Sequence, residues 1–253
     1  MTSRIRRSHI IGHLEKCNTV YITELAEKFA VSSMTIRRDL EFLAKQGLVT
    51  LIRGGATLNH GAAFLYSQSF RQTKFIKEKH RIAEYCASLI NEGSSIFLDC
   101  GSTTQKIAET ILPMNNITVI THSLECAQTL STAKKLKLIM APGVYSTSMG
   151  GFLGQFTCEF IKNFHIDILF LGANGVDTEH GLSSPDYIDA LTKRALINAS
   201  RKVIIATDSS KLNLNFFVTV ASLQEIDSIV TDKNAAPDVI DAMRSKGINI
   251  VLV

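Results

Sequence analysis

Residues 31–40 read Val31-Ser32-Ser33-Met34-Thr35-Ile36-Arg37-Arg38-Asp39-Leu40. Ile36, Leu40 and Leu43 recur at i, i+4 and i+7, one apolar stripe of an amphipathic helix. Ser32 stands where an N-cap accepts from the unpaired N–H groups of the first turn. The other side shows Ser33, Met34, Thr35, Arg37 and Arg38. Short hydroxyls and guanidinium groups near a helix N-terminus reach phosphates and base edges in a major groove, and arginine grips guanine with two parallel bonds. The spacing predicts a DNA recognition helix with those five residues at its contact face. The alternative is a solvated helix face, the usual fate of surface arginines.

The flanking sequence favours the first reading. Arg4 to Lys16 reads as a helix with Ile5, Ile10, Ile11 and Leu14 inward, broken at Asn18-Thr19. Thr23 is placed to cap a second helix, Glu24 to Phe29, buried through Leu25, Ala26 and Phe29. Only Ala30-Val31 separates it from Ser32, the spacing of a helix-turn-helix over about residues 20–39. Gly47 is the expected stop of the recognition helix. Leu48–Ile52 and Ala56–Leu58 then flank Arg53-Gly54-Gly55 as a wing, with Arg53 a further DNA contact. Residues 1–58 hold nine basic and five acidic residues, so the net charge of +4 falls entirely in this segment. A localised basic module suits a polyanionic partner.

The run V-S-S-M-T-I-R-R-D-L-E-F-L-A-K-Q-G-L-V, followed by R-G-G-A, resembles the N-terminal domain of DeoR-family transcriptional regulators. The core V-S-x-x-T-I-R-R-D-L is long and specific. Two positions depart from the family: Leu51 stands where an arginine is frequent, and Arg53 where a histidine is.

The chain of 253 residues is 45% hydrophobic and 20% charged, enough to bury a substantial core. No apolar run reaches the roughly 18–20 residues of a spanning helix, and the N-terminal arginines are not followed by an apolar signal region. A cytoplasmic protein with no membrane partner is expected. The five cysteines are dispersed, with no C-x-x-C and no Cys/His cluster in sequence, so neither a metal site nor a cofactor is expected.

Residues 59–76 read as a connector, though Phe64, Leu65, Tyr66 and Phe70 are apolar enough to pack. A helix then runs to Ile90, closed by Gly93. Beyond it, apolar runs alternate with helical stretches. The strands expected are 95–98, 117–121, 136–140, 166–171, 203–206, 226–230 and 248–253. The helices expected are 104–112, 124–132, 155–163, 185–200 and 237–246. Continuous apolar strands imply a sheet covered on both faces. The fold class is therefore α/β: a winged helix-turn-helix over 1–58, a linker over 59–76, and an open, mostly parallel α/β domain over 77–253.

Ligands in such sheets bind beyond the carboxyl ends of the strands. After the first strand comes Asp99-Cys100-Gly101-Ser102-Thr103-Thr104, where hydroxyls and N–H groups meet the positive end of a helix, a phosphate cradle in physical terms. A polar turn with a threonine cap is the plain alternative. The other strand ends carry His122-Ser123, Gly172-Ala173-Asn174-Gly175 and Asp208-Ser209-Ser210-Lys211, with Lys193 and Arg194 on the intervening helix. Their convergence predicts an effector site of Asp99, Gly101, Ser102, Thr103, Thr104, His122, Ser123, Gly172, Asn174, Gly175, Lys193 and Lys211.

The segments D-x-G-S-T-T, I-T-V-I-T-x-S-L, F-L-G-A-N-G-V-D, G-L-S-S and D-S-S-K resemble the DeoR-family sensor domain, so the likeness spans nearly the whole chain. It implies a sensor resembling ribose-5-phosphate isomerases, a phosphorylated sugar as effector, double-stranded operator DNA as partner, self-association as a dimer or tetramer, and repression relieved by the effector. Departures here are His122 for the usual asparagine, Pro142 in a Gly-Gly position and Cys100 for a small residue. The rival reading is a phosphosugar isomerase. The isomerase hallmark resembles D-G-A-D-E; Leu171 and Asn174 replace both aspartates, so binding without catalytic residues is expected.

Overall fold

The computed structural model describes residues 2–45, 48–58 and 71–253. The chain forms two compact units, residues 1–73 and 74–253.

In the first unit, helices Ser3–Cys17 (α1), Ile22–Phe29 (α2) and Ser33–Lys45 (α3) pack with strands Thr19–Tyr21 (β1), Val49–Ile52 (β2) and Gly55–Leu58 (β3). The antiparallel sheet has the order β1-β3-β2. Ile10, Ile11, Leu14, Leu25, Ile36 and Leu40 are fully or almost fully buried, with Leu43 and Val20 beside them. Ser32 caps α3 as expected, its Oγ accepting from the Thr35 N–H at 3.2 Å.

Three details differ from the sequence reading. Thr23 lies inside α2 rather than capping it. The helix begins at Ile22 because its N–H donates to the wing carbonyl of Gly54 at 2.8 Å. Ile5 is 49% exposed, since the first turn of α1 overhangs the core and Arg6 takes the inward position. Strand β1 was not expected: Asn18, left-handed at φ 59°, turns the chain sharply enough for Val20 to pair with Ala56. Gly55 is required there, because a Cβ would sit 2.0 Å from the Val20 carbonyl oxygen. The expected stop at Gly47 and the packing of Phe64, Leu65, Tyr66 and Phe70 lie outside the described residues.

The second unit is built on seven strands: Ser95–Leu98 (β4), Thr118–Thr121 (β5), Lys137–Met140 (β6), Ile166–Leu171, Ser200–Ala206, Ser228–Thr231 and Ile250–Leu252. Between them lie short strands Val144–Ser146 (β7), Gly151–Leu153 (β8), Gly175–Asp177, Gly181–Ser184 and Val218–Ala221. Counting along the chain makes Ile166–Leu171 β9, the next two short strands β10 and β11, Ser200–Ala206 β12, Val218–Ala221 β13, and the last two strands β14 and β15. The large sheet has the order β15-β14-β12-β9-β4-β5-β6 and is parallel throughout. All seven expected strands are its members. The small antiparallel sheets, β7-β8 and β10-β11-β13, were not expected.

Both faces are covered. Phe97, Leu169, Leu171, Val203 and Ile205 point to one core, which Tyr187–Asn198 and Pro237–Ser245 close. Ile96, Leu98, Ile168, Phe170 and Ile204 point to the other, under Ile76–Ser88 and Ser102–Thr110. The helix expected to reach Ile90 stops at Ser88, because the Leu89 and Ile90 N–H groups bond three residues back and tighten the last turn. The helix expected from Pro185 starts at Tyr187, where Asp186 accepts from the Asp189 N–H at 2.8 Å. No helix among the described residues is long and apolar enough to cross a membrane.

Candidate functional site

On α3, Ser33, Met34, Arg37 and Arg38 are exposed, and so is Arg53 at the wing tip. Thr35 is only half-exposed, and its hydroxyl lies 2.9 Å from that of Ser32, within the cap. The inward neighbour Asp39 is what sequence reasoning missed. Its carboxylate is 1% exposed and accepts from Arg6 Nε and Arg7 Nε, each at 2.6 Å. The Arg7 guanidinium also stacks 3.8 Å from the centre of the Phe42 ring. Asp39 thus fixes α1 against α3 while Arg37 and Arg38 remain free to face outward. The signal was present, an acidic residue on the apolar stripe with two arginines in the first helix.

In the second unit, sequence order along the sheet reverses between β9 and β4, the crevice where open α/β sheets bind ligands. Asp99 follows β4 there and is fully buried. One oxygen, Oδ1, is 2.8 Å from His122 Nε2 beyond β5. The other, Oδ2, accepts from the Gly172 N–H beyond β9 at 2.9 Å, and from Lys193 Nζ. Three adjacent strand ends therefore meet on one carboxylate. Burial alone would raise the Asp99 carboxyl, but the Lys193 ammonium and then His122 outweigh it and hold it well below the usual carboxylate range.

His122 Nδ1 faces the Phe152 carbonyl at 2.9 Å, which can only accept, so Nδ1 carries a proton. Burial disfavours a second proton. The neighbouring acidic groups of Cys100 and Asp99 nevertheless push the imidazole up to about 10. As imidazolium, Nε2 donates to Asp99. When neutral, the same nitrogen accepts from the Cys100 N–H at 3.1 Å.

Lys193 is one turn from Asp189 on the same helix, and its Nζ is 3.5 Å from Asp189 Oδ1. Burial works against the ammonium, but Asp189 and Asp99 together raise it. Asp189 Oδ2 accepts from Ser184 Oγ at 2.7 Å and Asn174 Nδ2 at 3.1 Å. Burial, against the pull of Lys193, raises the Asp189 carboxyl. Asp189 and Ser184 were not singled out from sequence. Their signal was the i, i+4 spacing of Asp189 to Lys193, which puts both on one helix face.

The turn after Asp99 leads into Ser102–Thr110. Ser102 and Thr103 are 8% and 6% exposed, and their hydroxyls bond to no described residue. The Thr104 hydroxyl donates to the Gly101 carbonyl at 3.0 Å and closes the turn. Ser123 is a helix cap, its Oγ accepting from the Cys126 N–H at 3.2 Å. Gly175 is a packing position, since a Cβ would lie 2.5 Å from the Leu214 carbonyl oxygen. Lys211 ends the short turn that Asp208 caps. Arg194 is drawn away from the cluster, donating to the Val220 carbonyl at 3.0 Å.

Asp99, Cys100 and His122 bring an oxygen, a sulfur and a nitrogen within 4.8 Å of one another, so the fold assembles a Cys/His cluster that the sequence does not show. Such a donor set could chelate an ion. Here the Lys193 ammonium already holds the same carboxylate and opposes a second cation beside it.

Comparison with known proteins places these units. A family model of the DeoR-like helix-turn-helix domain matches residues 6–62, and one of the DeoR C terminal sensor domain matches residues 74–233. The glycerol-3-phosphate regulon repressor of Escherichia coli (strain K12) is 35% identical over 239 residues, covering 94% of this chain and 93% of that protein. The HTH-type transcriptional repressor GlcR of Bacillus subtilis (strain 168) is 29% identical over 243 residues, covering 96% and 93%. A solved D-ribose-5-phosphate isomerase in complex with phospho-erythronic acid matches with a TM-score of 0.41 at 15% identity, over 54% of each chain.

Proposed function

The chain belongs to the DeoR family of transcriptional regulators, and on that premise we propose that it represses a carbohydrate catabolic operon and leaves its operator when a phosphorylated sugar binds. Ser33, Met34, Thr35, Arg37, Arg38 and Arg53 face operator DNA, the arginines supplying base and phosphate contacts. Two or more copies act together, because single modules rarely give both affinity and specificity. The names of the relatives, a glycerol-3-phosphate regulon repressor and a transcriptional repressor, support the direction of control.

The observation that carries the effector reading is the junction at Asp99. Three strand ends are tied together at the point where strand order reverses, and Ser102 and Thr103, at the start of the helix that follows, present two hydroxyls that bond to no described residue. Phosphate belongs at Gly101–Thr104, with Lys211 contributing charge. His122, Ser123, Gly172, Asn174, Gly175 and Lys193 shape the remainder. Effector binding shifts the population of DNA-competent arrangements to the extent that the two states differ in effector affinity.

The site binds without turnover. Isomerisation needs a carboxylate able to take and return a proton beside a carbonyl. Leu171, packed in the sheet core, and Asn174, a donor to Asp189, stand in place of the two aspartates of the isomerase hallmark, both oxygens of Asp99 are occupied, and Asp189 is tied to Ser184 and Asn174 through Oδ2. A thermal-shift screen of phosphorylated sugars, run beside an isomerisation assay on the same preparation, tests this. Stabilisation without product formation is expected. Sugar-phosphate isomerisation would overturn it.

A further inference from the structure

Asp189 is fully buried, and its two oxygens are treated differently by the fold. Oδ2 is locked by Ser184 and Asn174 at 2.7 and 3.1 Å. Among the described residues, Oδ1 has no hydrogen-bond partner. Lys193 Nζ pairs with it electrostatically from 3.5 Å while one of its N–H groups donates to Asp99, so the charge is balanced but no hydrogen bond reaches Oδ1. Leaving a buried charged acceptor without a donor is destabilising, and native proteins rarely do so without a reason. The two bonds on Oδ2 prevent the carboxylate from rotating to find a donor of its own.

The neighbours restrict what can fill that position. An ammonium or guanidinium would stand beside the Lys193 ammonium and be repelled. A carboxylate or phosphate would face Oδ1 itself and be repelled. A neutral alcohol suits both, donating its O–H to Asp189 while its oxygen accepts from Lys193.

We propose that Asp189 is a specificity-determining residue whose Oδ1 accepts a hydrogen bond from an alcohol hydroxyl of the effector, which selects polyhydroxy phosphate esters over phosphorylated acids, phosphorylated amines and plain alkyl phosphates. The inference rests on the reading of the sensor unit as a phosphate-ester receptor. It adds a second recognition point, on the helix Tyr187–Asn198, to the phosphate turn at Gly101–Thr104.

Calorimetric titration of the full chain tests it with defined probes: glycerol 3-phosphate, ribose 5-phosphate and fructose 6-phosphate; n-propyl, n-pentyl and n-hexyl phosphate as chain-length partners without hydroxyls; 3-phosphoglycerate; and inorganic phosphate. At least one hydroxyl-bearing ester should bind about tenfold or more tighter than its alkyl partner and than 3-phosphoglycerate, the scale of one hydrogen bond to a charged group. Asp189→Asn should lose that advantage while binding inorganic phosphate as the parent does. Equal binding of every hydroxyl-bearing ester and its alkyl partner by the parent chain overturns the inference without recourse to any variant, and so does an unchanged preference in Asp189→Asn. If neither inorganic phosphate nor any ester binds the parent, the phosphate-receptor reading fails and the inference falls with it.

Discussion

Asp99 and His122 share a 2.8 Å hydrogen bond in which neither side chain has any solvent exposure. They follow neighbouring parallel strands, and the register that pairs Leu98 with Thr121 sets them side by side. The pair makes the junction sensitive to pH. An imidazole raised to about 10 contributes stability that is fully present below its unfolded value near 6.5. That contribution is lost as pH rises through 10. Unfolding of the parent and His122→Asn by urea should therefore give a stability difference that is largest below pH 6.5 and shrinks towards pH 10. A difference that stays constant or grows with pH contradicts the assignment.

Replacing Asp39 with alanine leaves the Arg6 guanidinium buried without its carboxylate and releases Arg7. Breaking a buried pair in this way costs about 3–5 kcal/mol. The melting temperature of the N-terminal unit should fall accordingly, whereas Arg37→Ala and Arg38→Ala should leave it within experimental error of the parent.

Those two arginine variants should instead weaken operator binding, by about 1–3 kcal/mol where the side chain contacts a base. Where it contacts phosphate, the loss should be uniform across sequences with a shallower salt dependence. Fluorescence anisotropy at several salt concentrations separates the cases. Unchanged affinity in both variants would remove α3 as the recognition helix. Arg53→Ala should act on the wing alone and alter affinity with little change in sequence preference.

The seven parallel strands were legible because a strand buried on both faces reads as an unbroken apolar run, as in Ile166–Leu171. The small antiparallel strands were not. Gly175–Asp177 and Gly181–Ser184 carry glycine, aspartate and serine that also signal turns, and their pairing is fixed by tertiary contact. Asp99 and His122 could be picked out as polar groups at strand ends, and Lys193 as a cation on the intervening helix. That His122 lies against Cys100 could not, since 22 residues separate them and only the sheet register brings them together. Asp189 escaped notice because an acidic residue in the first turn of a helix is commonplace, favoured by the helix dipole.

Thr103→Val and Lys211→Ala test the two proposed contributors to phosphate binding. Both should bind operator as the parent does and require more phosphorylated sugar for release. Loss of operator binding with normal effector affinity would show that these residues serve the DNA-competent state instead.

The most direct measurement is release of operator DNA. A duplex selected by the full chain from a random pool is held at fixed salt and titrated with phosphorylated sugars and with the same sugars unphosphorylated. At least one phosphorylated sugar should lower operator affinity by about 5–150-fold, the usual range of allosteric coupling, while its unphosphorylated parent does nothing. Operator affinity indifferent to every phosphorylated sugar, or equally sensitive to the unphosphorylated forms, would contradict the proposed release.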